Sequence, residues 1–271
     1  MLDDLNHAVS TVQRLPRVRF ETGLTPEAAR WIEKKHAAGA VHEPGTLAAF
    51  LAVQKHRKVK QVFDLGALFG YFTLFALQAF DDAEVTAFEM HPLVMPDLHK
   101  NVVPWAKIVH AVMSDEIKPP TKFWVSGFNI YEEPEGGWNN LWNVPGAMKQ
   151  RGEGNRGRGW AEVPFTTLDA YCTSNAPPDL LKIDVEAYQA KAILGGLGMI
   201  AKHRPAIVIE LHDADKIARM GTTNRATVQP LLQLGYTAFW STNFRDKDAR
   251  FEAVTEMGAE HERLGIMVLV P

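Results

Sequence analysis

Two segments of the chain carry residues whose types and spacing could bind a nucleoside. Residues 62–73, VFDLGALFGYFT, have the pattern of a buried strand, a tight glycine turn and a helix start, and Glu89 stands near the end of the next apolar run. Glu89 follows Asp64 by 25 residues, close to the spacing of about 20 for a ribose-binding acid in a strand-helix-strand unit. Taken singly, Gly66 could merely end a strand and Glu89 could be a solvated strand tip. Together they predict an enzyme that binds a nucleoside cofactor.

The glycine pattern narrows the choice of cofactor. A dinucleotide site needs Gly-x-Gly-x-x-Gly, so that the backbone and a helix N-terminus close on a pyrophosphate. Here Leu68 stands two residues after Gly66, and the next glycine is Gly70. A ligand without phosphates, such as S-adenosylmethionine, needs room at the turn, an acid such as Asp64 facing its ammonium group, and a carboxylate that accepts both ribose hydroxyls. The pattern therefore favours S-adenosylmethionine over a nicotinamide dinucleotide.

Apolar runs along the chain predict the strands that position these residues. The runs are unbroken rather than alternating, as in a parallel sheet covered on both faces. They comprise residues 61–65, 85–89, 108–112, 180–184 and 206–211. The tail adds residues 237–240 and 265–270, after a helix-like stretch at 228–234, and these predict a closing hairpin at one sheet edge. A doubly wound α/β sheet follows.

The chain divides into a front segment and a main domain. Residues 1–57 are predicted to be helical and to pack on the domain formed by residues 58–271. Within the front segment, the sequence predicts a helix from Thr25 to about Gly39 and a second helix that begins at Gly45.

Residues 121–165 interrupt the alternation of strands and helices and are predicted to be an inserted substrate loop. The insertion is rich in glycine and holds Trp124, Trp138, Trp142 and Trp160. Its aromatic rings, together with the asparagines at 139, 140 and 143, could stack on a sugar and bind hydroxyl groups, and its arginines could meet an acidic group. The alternative is a surface excursion whose tryptophans pack on the domain. Long insertions of this kind are usually functional or disordered.

Composition excludes several classes of protein. The chain has 271 residues, 46% of them hydrophobic, and a net charge of -3, which argues against nucleic acid as the main partner. No cationic head precedes an apolar core at the N-terminus, and no run approaches the roughly 20 apolar residues of a membrane helix, so we expect neither a secretory signal nor a membrane partner. Cys172 is the single cysteine. A reducing cytoplasm fits a chain with no internal disulfide.

Several short motifs follow one another along the chain in a specific order. They are VFDLGA at 62–67 with GYFT at 70–73, AFE at 87–89 with Pro92, TLDAY at 167–171, LKIDVE at 181–186, Arg204-Pro205, and IELH at 209–212. In this order, from about residue 60 to 270, the chain resembles the FkbM family of S-adenosylmethionine-dependent methyltransferases. The resemblance implies a Rossmann-like sheet of seven mostly parallel strands with an N-terminal helical extension.

The resemblance also implies an activity and a set of site residues. Family members commonly methylate hydroxyl groups of sugars or specialised metabolites, so the expected acceptor is a small molecule or a carbohydrate. An N-methyltransferase, a domain that binds cofactor or partner without catalysis, and a homo-oligomer stay open. The implied cofactor residues are Asp64, Gly66, Ala67, Tyr71, Phe72, Thr73, Glu89, Met90, Ala111 and Ser114. From the insertion and the strand ends, the predicted substrate residues are Trp138, Trp142 and Asp213. The family usually has Gly and Glu where this chain has Ala187 and Gln189, which leaves the role of those positions open.

Two predicted strand ends carry groups that could activate an acceptor hydroxyl. They are Asp184 with Glu186, and Glu210 with His212 and Asp213. His212 could take the proton near neutral pH if Asp184 or Asp213 orients its ring. Alternatively, Asp184 with His212 or Asp213 could bind a divalent cation such as magnesium, which lowers the pKa of the hydroxyl. Asp184, Glu186 and His212 are therefore the predicted catalytic residues.

Overall fold

The structure is a computed structural model, and it describes residues 1–15, 18–19, 41–126, 129–132, 139–140 and 158–271. In chain order its helices are α1 (Leu2–Val12), α2 (Pro44–His56), α3 (Tyr71–Ala79), α4 (Met95–Val102), α5 (Leu168–Tyr171), α6 (Gln189–Leu194), α7 (Leu197–His203), α8 (Ala214–Ala218) and α9 (Asn224–Gln233). Among these residues no helix has the length and apolar character needed to cross a membrane.

The strands form two sheets. In chain order they are β1 (Gln61–Leu65), β2 (Glu84–Glu89), β3 (Ala106–His110), β4 (Val112–Met113), β5 (Lys118–Ser126), β6 (Asn129–Glu132), β7 (Asn139–Asn140), β8 (Arg158–Thr166), β9 (Leu180–Ile183), β10 (Ala206–Leu211), β11 (Thr237–Ser241), β12 (Glu252–Val254) and β13 (Gly265–Val270). The large sheet has the order β12-β11-β13-β10-β9-β1-β2-β3, and the small sheet has the order β4-β8-β5-β6-β7.

The large sheet confirms the predicted mostly parallel α/β fold. Strands β3, β2, β1, β9 and β10 are parallel neighbours, and β13 runs antiparallel between β10 and β11. The sheet has an eighth strand where seven were expected, because β12 is only 3 residues long and gives no sequence signal. The order reverses between β1 and β9, and such a switch point opens a crevice at the carboxyl ends of the strands.

The segment 121–165, predicted as a loop, is bounded by strands of the small sheet. Strand β5 pairs antiparallel with β8, with Trp124 opposite Trp160. The missed signal is alternation: Phe123 and Val125 are buried, with Trp124 between them more exposed, as in a strand with one face covered. The third strand of the large sheet ends at His110 rather than Val112, because Val112 begins β4 and pairs with β8.

Helix α2 lies in the core rather than on the surface. It begins at Pro44, one residue before the predicted start, and nine of its residues are buried. Its apolar residues share a cluster with Val62, Val208 and Val268 of the large sheet. The glycine at position 45 allows this packing, because a Cβ there would lie 2.8 Å from the Phe244 Cα. The predicted helix from Thr25 to Gly39 lies outside the described residues.

Candidate functional site

The turn between β1 and α3 lies across the end of β9. Gly66 has φ +78°, and a Cβ on it would lie 1.8 Å from the backbone oxygen of Asp184, so this position admits only glycine. The backbone nitrogens of Gly66 and Ala67 donate to the Phe88 oxygen at 2.9 and 3.1 Å. These bonds join the turn to the end of β2. The turn therefore holds the ends of three adjacent strands, β9, β1 and β2, together.

Glu89 is fixed at the end of β2 by backbone amides. One carboxylate oxygen accepts from the Leu68 nitrogen at 2.8 Å, and the other accepts from the His91 nitrogen at 2.7 Å. Leu68 reaches this bond with φ +52°. Burial raises the pKa of Glu89, and the two amides favour its ionised form. The side chain is held in one orientation, with the remaining lone pairs available to a ligand.

A cavity lies between the Gly66 turn and the small sheet. Its described wall consists of Gly66, Leu68, Phe88, Glu89, Met90, Ala111, Val112, Met113, Asp184, Val185, Glu186 and Tyr188. The structure thus brings together six of the predicted site residues. The other apolar wall residues were not predicted from the sequence, because single leucine, valine and methionine residues carry no motif. None of these described wall residues is a lysine or an arginine, so a diphosphate there would find no cationic side chain.

Asp64 lies behind the turn, which corrects the expectation that it faces a cofactor. Its side chain is 1% exposed. It accepts from the Thr73 hydroxyl at 2.7 Å, and one of its oxygens lies 3.0 Å from Nζ of Lys182. Lys182 also donates to the Gly66 oxygen at 3.1 Å and lies 3.8 Å from the Asp184 carboxylate. Burial opposes the charge on Lys182, but Asp64 and Asp184 raise its pKa. The buried ion pair of Asp64 and Lys182 therefore helps to hold the Gly66 turn in place.

Five other predicted cofactor residues also lie away from the described cavity wall, among them Thr73, whose buried hydroxyl donates to Asp64. Tyr71 and Phe72 pack on the front segment, with ring centroids 5.3 Å from His42 and 6.4 Å from Phe50, respectively. Their rings are therefore part of the hydrophobic core beneath α2. The hydroxyl of Ser114, which is fully buried, donates to Asp115 at 3.0 Å. Ala67 is buried with the side chains under α4.

The carboxyl ends of β9 and β10 bring acidic groups together. Asp184, Glu210 and His212 each place one potential ligand atom within 4.8 Å of the others. Asp184 is 26% exposed and lines the cavity, whereas Glu210 and His212 are buried. Burial and the Asp184 charge raise the pKa of Glu210. Burial and Lys216 lower the pKa of His212 to about 4, so its ring is neutral at physiological pH. Glu186 forms an ion pair with Lys216.

An exposed arginine, Arg245, contacts two buried carboxylates of this acidic group from a remote part of the chain. Arg245 lies after β11, and its side chain is 3.0 Å from Glu43 and 3.0 Å from Glu210. Glu43 is the residue just before α2 and is 4% exposed. Neither residue belongs to a local motif, and they are 202 positions apart in the chain, so no sequence pattern predicts their contact.

Asp213 and the two tryptophans do not join the described site. Asp213 is exposed, and its carboxylate accepts from the Leu264 nitrogen at 3.0 Å. It stands at the N-cap of α8. Asp213 is not in the group of potential metal ligands formed by Asp184, Glu210 and His212, and its substrate role stays a prediction. Trp138 and Trp142 lie outside the described residues, so their substrate role stays a prediction.

The structure shows the surroundings of the two departures, Ala187 and Gln189. Ala187 has φ +79°, the left-handed region that favours glycine. Gln189 is fully buried, and its Nε2 donates to the Glu210 backbone oxygen at 2.7 Å. The amide at 189 therefore ties α6 to β10.

Replacing Ala187 with glycine is expected to cost little stability. The left-handed conformation costs an alanine roughly 1–2 kcal/mol, and its relief offsets the lost methyl contacts and the greater chain entropy of glycine. Ala192→Gly, in the buried face of α6, is the matched control and is expected to lose about 1–2 kcal/mol more. Urea unfolding midpoints at constant slope measure both. Equal losses in the two variants would contradict the argument.

A comparison with known protein families finds a match over more than half of the chain. Residues 64–237 match the description "Methyltransferase FkbM domain". No curated protein matches the chain. Among similar solved structures, methyltransferase FkbM from Methylobacillus flagellatus KT is 11% identical with a TM-score of 0.44, and the alignment covers 84% of this chain and 54% of that one. The O-methyltransferase from Bacillus cereus in complex with SAH is 13% identical, with a TM-score of 0.44 and 100% coverage of both chains.

A third structure is the precorrin-6y C5,15-methyltransferase from Geobacter metallireducens GS-15. It is 13% identical with a TM-score of 0.41, and the alignment covers 82% of this chain and 86% of that one. The domain match at 64–237 spans the Gly66 turn, Glu89 and both acidic strand ends, and it covers more than half of the chain. The chain therefore belongs to the FkbM methyltransferase family.

Proposed function

We propose that the protein is an S-adenosylmethionine-dependent O-methyltransferase that acts on a hydroxyl group of a sugar or specialised metabolite. The observation that carries the proposal is the position of Glu89. Its carboxylate lies in the wall of the cavity beside the Gly66 turn, held by the Leu68 and His91 amides. A carboxylate fixed in such a place suits a ribose diol.

The rest of the cavity wall fits an adenosyl group better than a dinucleotide. Leu68, Phe88, Met90, Val112 and Met113 make an apolar surface beside Glu89, as adenine requires. The place where a dinucleotide fold has its second glycine is Leu68, whose side chain takes part in the wall. The cationic sulfonium and ammonium groups of the cofactor also suit the acidic side of the cavity, where Asp184 and Glu186 lie.

The acceptor is expected to approach from the acidic strand ends. When bound, S-adenosylmethionine supplies the methyl group. The chain must align the acceptor oxygen and remove its proton, and alignment can supply several kcal/mol, up to roughly 7–11 kcal/mol in the best intramolecular cases. Asp184 and Glu186 are the predicted catalytic residues that lie in the cavity wall and are partly exposed, and Glu186 is paired with Lys216. His212 lies beside Glu186, with Nε2 of its ring 3.9 Å from that carboxylate.

Two measurements test this proposal. Calorimetry with S-adenosylmethionine, S-adenosylhomocysteine and NAD should show binding of the first two and none of the third. Transfer of a radiolabelled methyl group to a panel of sugars, glycosides and amines should then show product with a hydroxyl acceptor. Binding without transfer to any acceptor would favour a cofactor-binding domain that lacks catalysis, and product on amines alone would make the protein an N-methyltransferase.

A further inference from the structure

We propose that Asp184, Glu210 and His212 form a binding site for a divalent metal ion of the manganese class. The inference rests on the proposed function, because the ion would sit beside the cavity and take the acceptor oxygen as a further ligand. It differs from the sequence-based hypothesis in its ligand set. Glu210 replaces Asp213, whose carboxylate faces the Leu264 amide instead.

The first argument is the convergence of the ligand atoms. Strands β9 and β10 are parallel neighbours, so the residues that follow or end them meet at one edge of the sheet. One atom from each of the three side chains lies within 4.8 Å of the other two. Glu210 and His212 form the buried floor, and Asp184 is open to the cavity. This leaves one side on which a substrate oxygen could complete the coordination, as in catalytic metal sites.

The second argument is the state of the His212 ring. His212 is 4% exposed, and its Nε2 has no hydrogen-bond partner. The other ring nitrogen, Nδ1, lies 3.5 Å from Nζ of Lys216 and 3.6 Å from Glu210. A buried ring nitrogen without a partner costs free energy unless a ligand meets it. Nε2 is therefore the ring nitrogen that remains for a metal ion.

The third argument is an excess of negative charge. Five carboxylates lie close to one another or share cationic partners: Glu43, Asp64, Asp184, Glu186 and Glu210. The cations that meet them are Lys182, Lys216 and Arg245. Among the described residues these carboxylates outnumber the cations by two, and three of them, Glu43, Asp64 and Glu210, are buried, where an uncompensated charge is costly. A divalent ion would balance it.

Arg245 is compatible with a metal ion on Glu210. It donates from one guanidinium nitrogen to both carboxylate oxygens, at 3.0 and 3.2 Å. Each carboxylate oxygen has two acceptor positions, so the contact orients the group and leaves lone pairs for a metal. Side chains that ligate a metal ion are commonly oriented in this way by hydrogen bonds to neighbouring residues.

The ligand types indicate which ion is expected. Two carboxylates suit magnesium, calcium or manganese, whereas imidazole suits the first-row transition metals. A mixed set of two carboxylates and one imidazole favours manganese over magnesium. A bound ion of this kind lowers the pKa of a coordinated hydroxyl, and the proton released then passes to solvent.

The site is tested by titrating the metal-free protein with Mn²⁺. Binding is measured by calorimetry and by the loss of the electron paramagnetic resonance signal of free Mn²⁺. One equivalent is expected to bind to the wild type. His212→Ala and Asp184→Asn are each expected to weaken binding at least about tenfold. His203→Ala, an exposed histidine, and Asp213→Asn are the matched controls and should bind as the wild type does. Circular dichroism checks that each variant is folded.

The outcomes separate this inference from the proposed function. No Mn²⁺ binding by the folded wild type, or unchanged binding in both His212→Ala and Asp184→Asn, would overturn the metal site, and methyl transfer that proceeds in EDTA would then leave the proposed function standing. Mn²⁺ binding that depends on these residues would support it even if no acceptor is methylated. Loss of binding in Asp213→Asn alone would restore the earlier ligand set and overturn this one.

Discussion

Replacing Glu89 with glutamine is expected to weaken binding of S-adenosylmethionine on the order of 100-fold. A hydrogen bond to a charged group contributes about 1.5–3 kcal/mol, and each 1.4 kcal/mol is tenfold in affinity. Both Glu89 oxygens accept from backbone amides, so the NH2 of a glutamine must face one of those donors. The variant loses the charge and also the orientation of the group that binds the ribose.

Calorimetry of the variant, with Glu84→Gln as the control, measures the effect. Glu84 is at the other end of the same strand and is exposed, so its replacement should leave affinity unchanged. Equal affinity of Glu89→Gln and wild type would remove the main support for the cofactor site. Thermal unfolding in the absence of cofactor shows whether a loss in affinity is instead a loss of folded protein.

The affinity of the wild type should also depend on pH through the same residue. Burial raises the pKa of Glu89, so the carboxylate takes up a proton at a higher pH than an exposed glutamate does. As pH falls through that pKa, the ionised acceptor is lost and binding weakens. Glu89→Gln should show a flatter dependence over the same range. Parallel curves for the two proteins would assign the pH effect to another group.

The parts of the fold that the sequence predicted are those with a local signal. Unbroken apolar runs gave the strands of the large sheet, and the glycine at 66 gave the turn, because only a residue without Cβ fits against the Asp184 oxygen. Glu89 and Asp184 were predicted because a charged residue at the end of a buried strand is costly unless it has a partner. These are properties of single segments.

The parts that the sequence missed depend on how segments meet. Asp64 and Lys182 each place a charge inside an apolar run, but that they are direct neighbours follows only from the register of β1 against β9. The contact between Arg245 and Glu43 joins positions 202 residues apart. The small sheet was missed because glycine-rich composition concealed the alternation in β5. Secondary structure is local, whereas ion pairs and sheet partners are set by topology.

Replacing Lys182 with methionine is expected to lower the free energy of unfolding by about 3–5 kcal/mol, because it leaves the charge of a buried carboxylate unpaired. Lys182 is 2% exposed, and its Nζ lies 3.0 Å from Asp64, whose side chain is 1% exposed. Methionine keeps the apolar stem, which packs near Phe72 with the ammonium 4.7 Å from the ring centroid. The loss is therefore mainly electrostatic. Urea or thermal unfolding measures it.

Two further variants distinguish this from a general effect of losing a lysine. Lys60→Met removes an exposed pair with Asp82 at 3.3 Å and should change stability by less than about 1 kcal/mol. Adding Asp64→Asn to Lys182→Met removes the unpaired charge and should recover a large part of the loss. If the double variant is as unstable as the single one, the ion pair is not the cause. Because Lys182 also binds the Gly66 oxygen, cofactor affinity should remain reduced in the double variant even where stability returns, and this places Lys182 as a positioning residue for the turn.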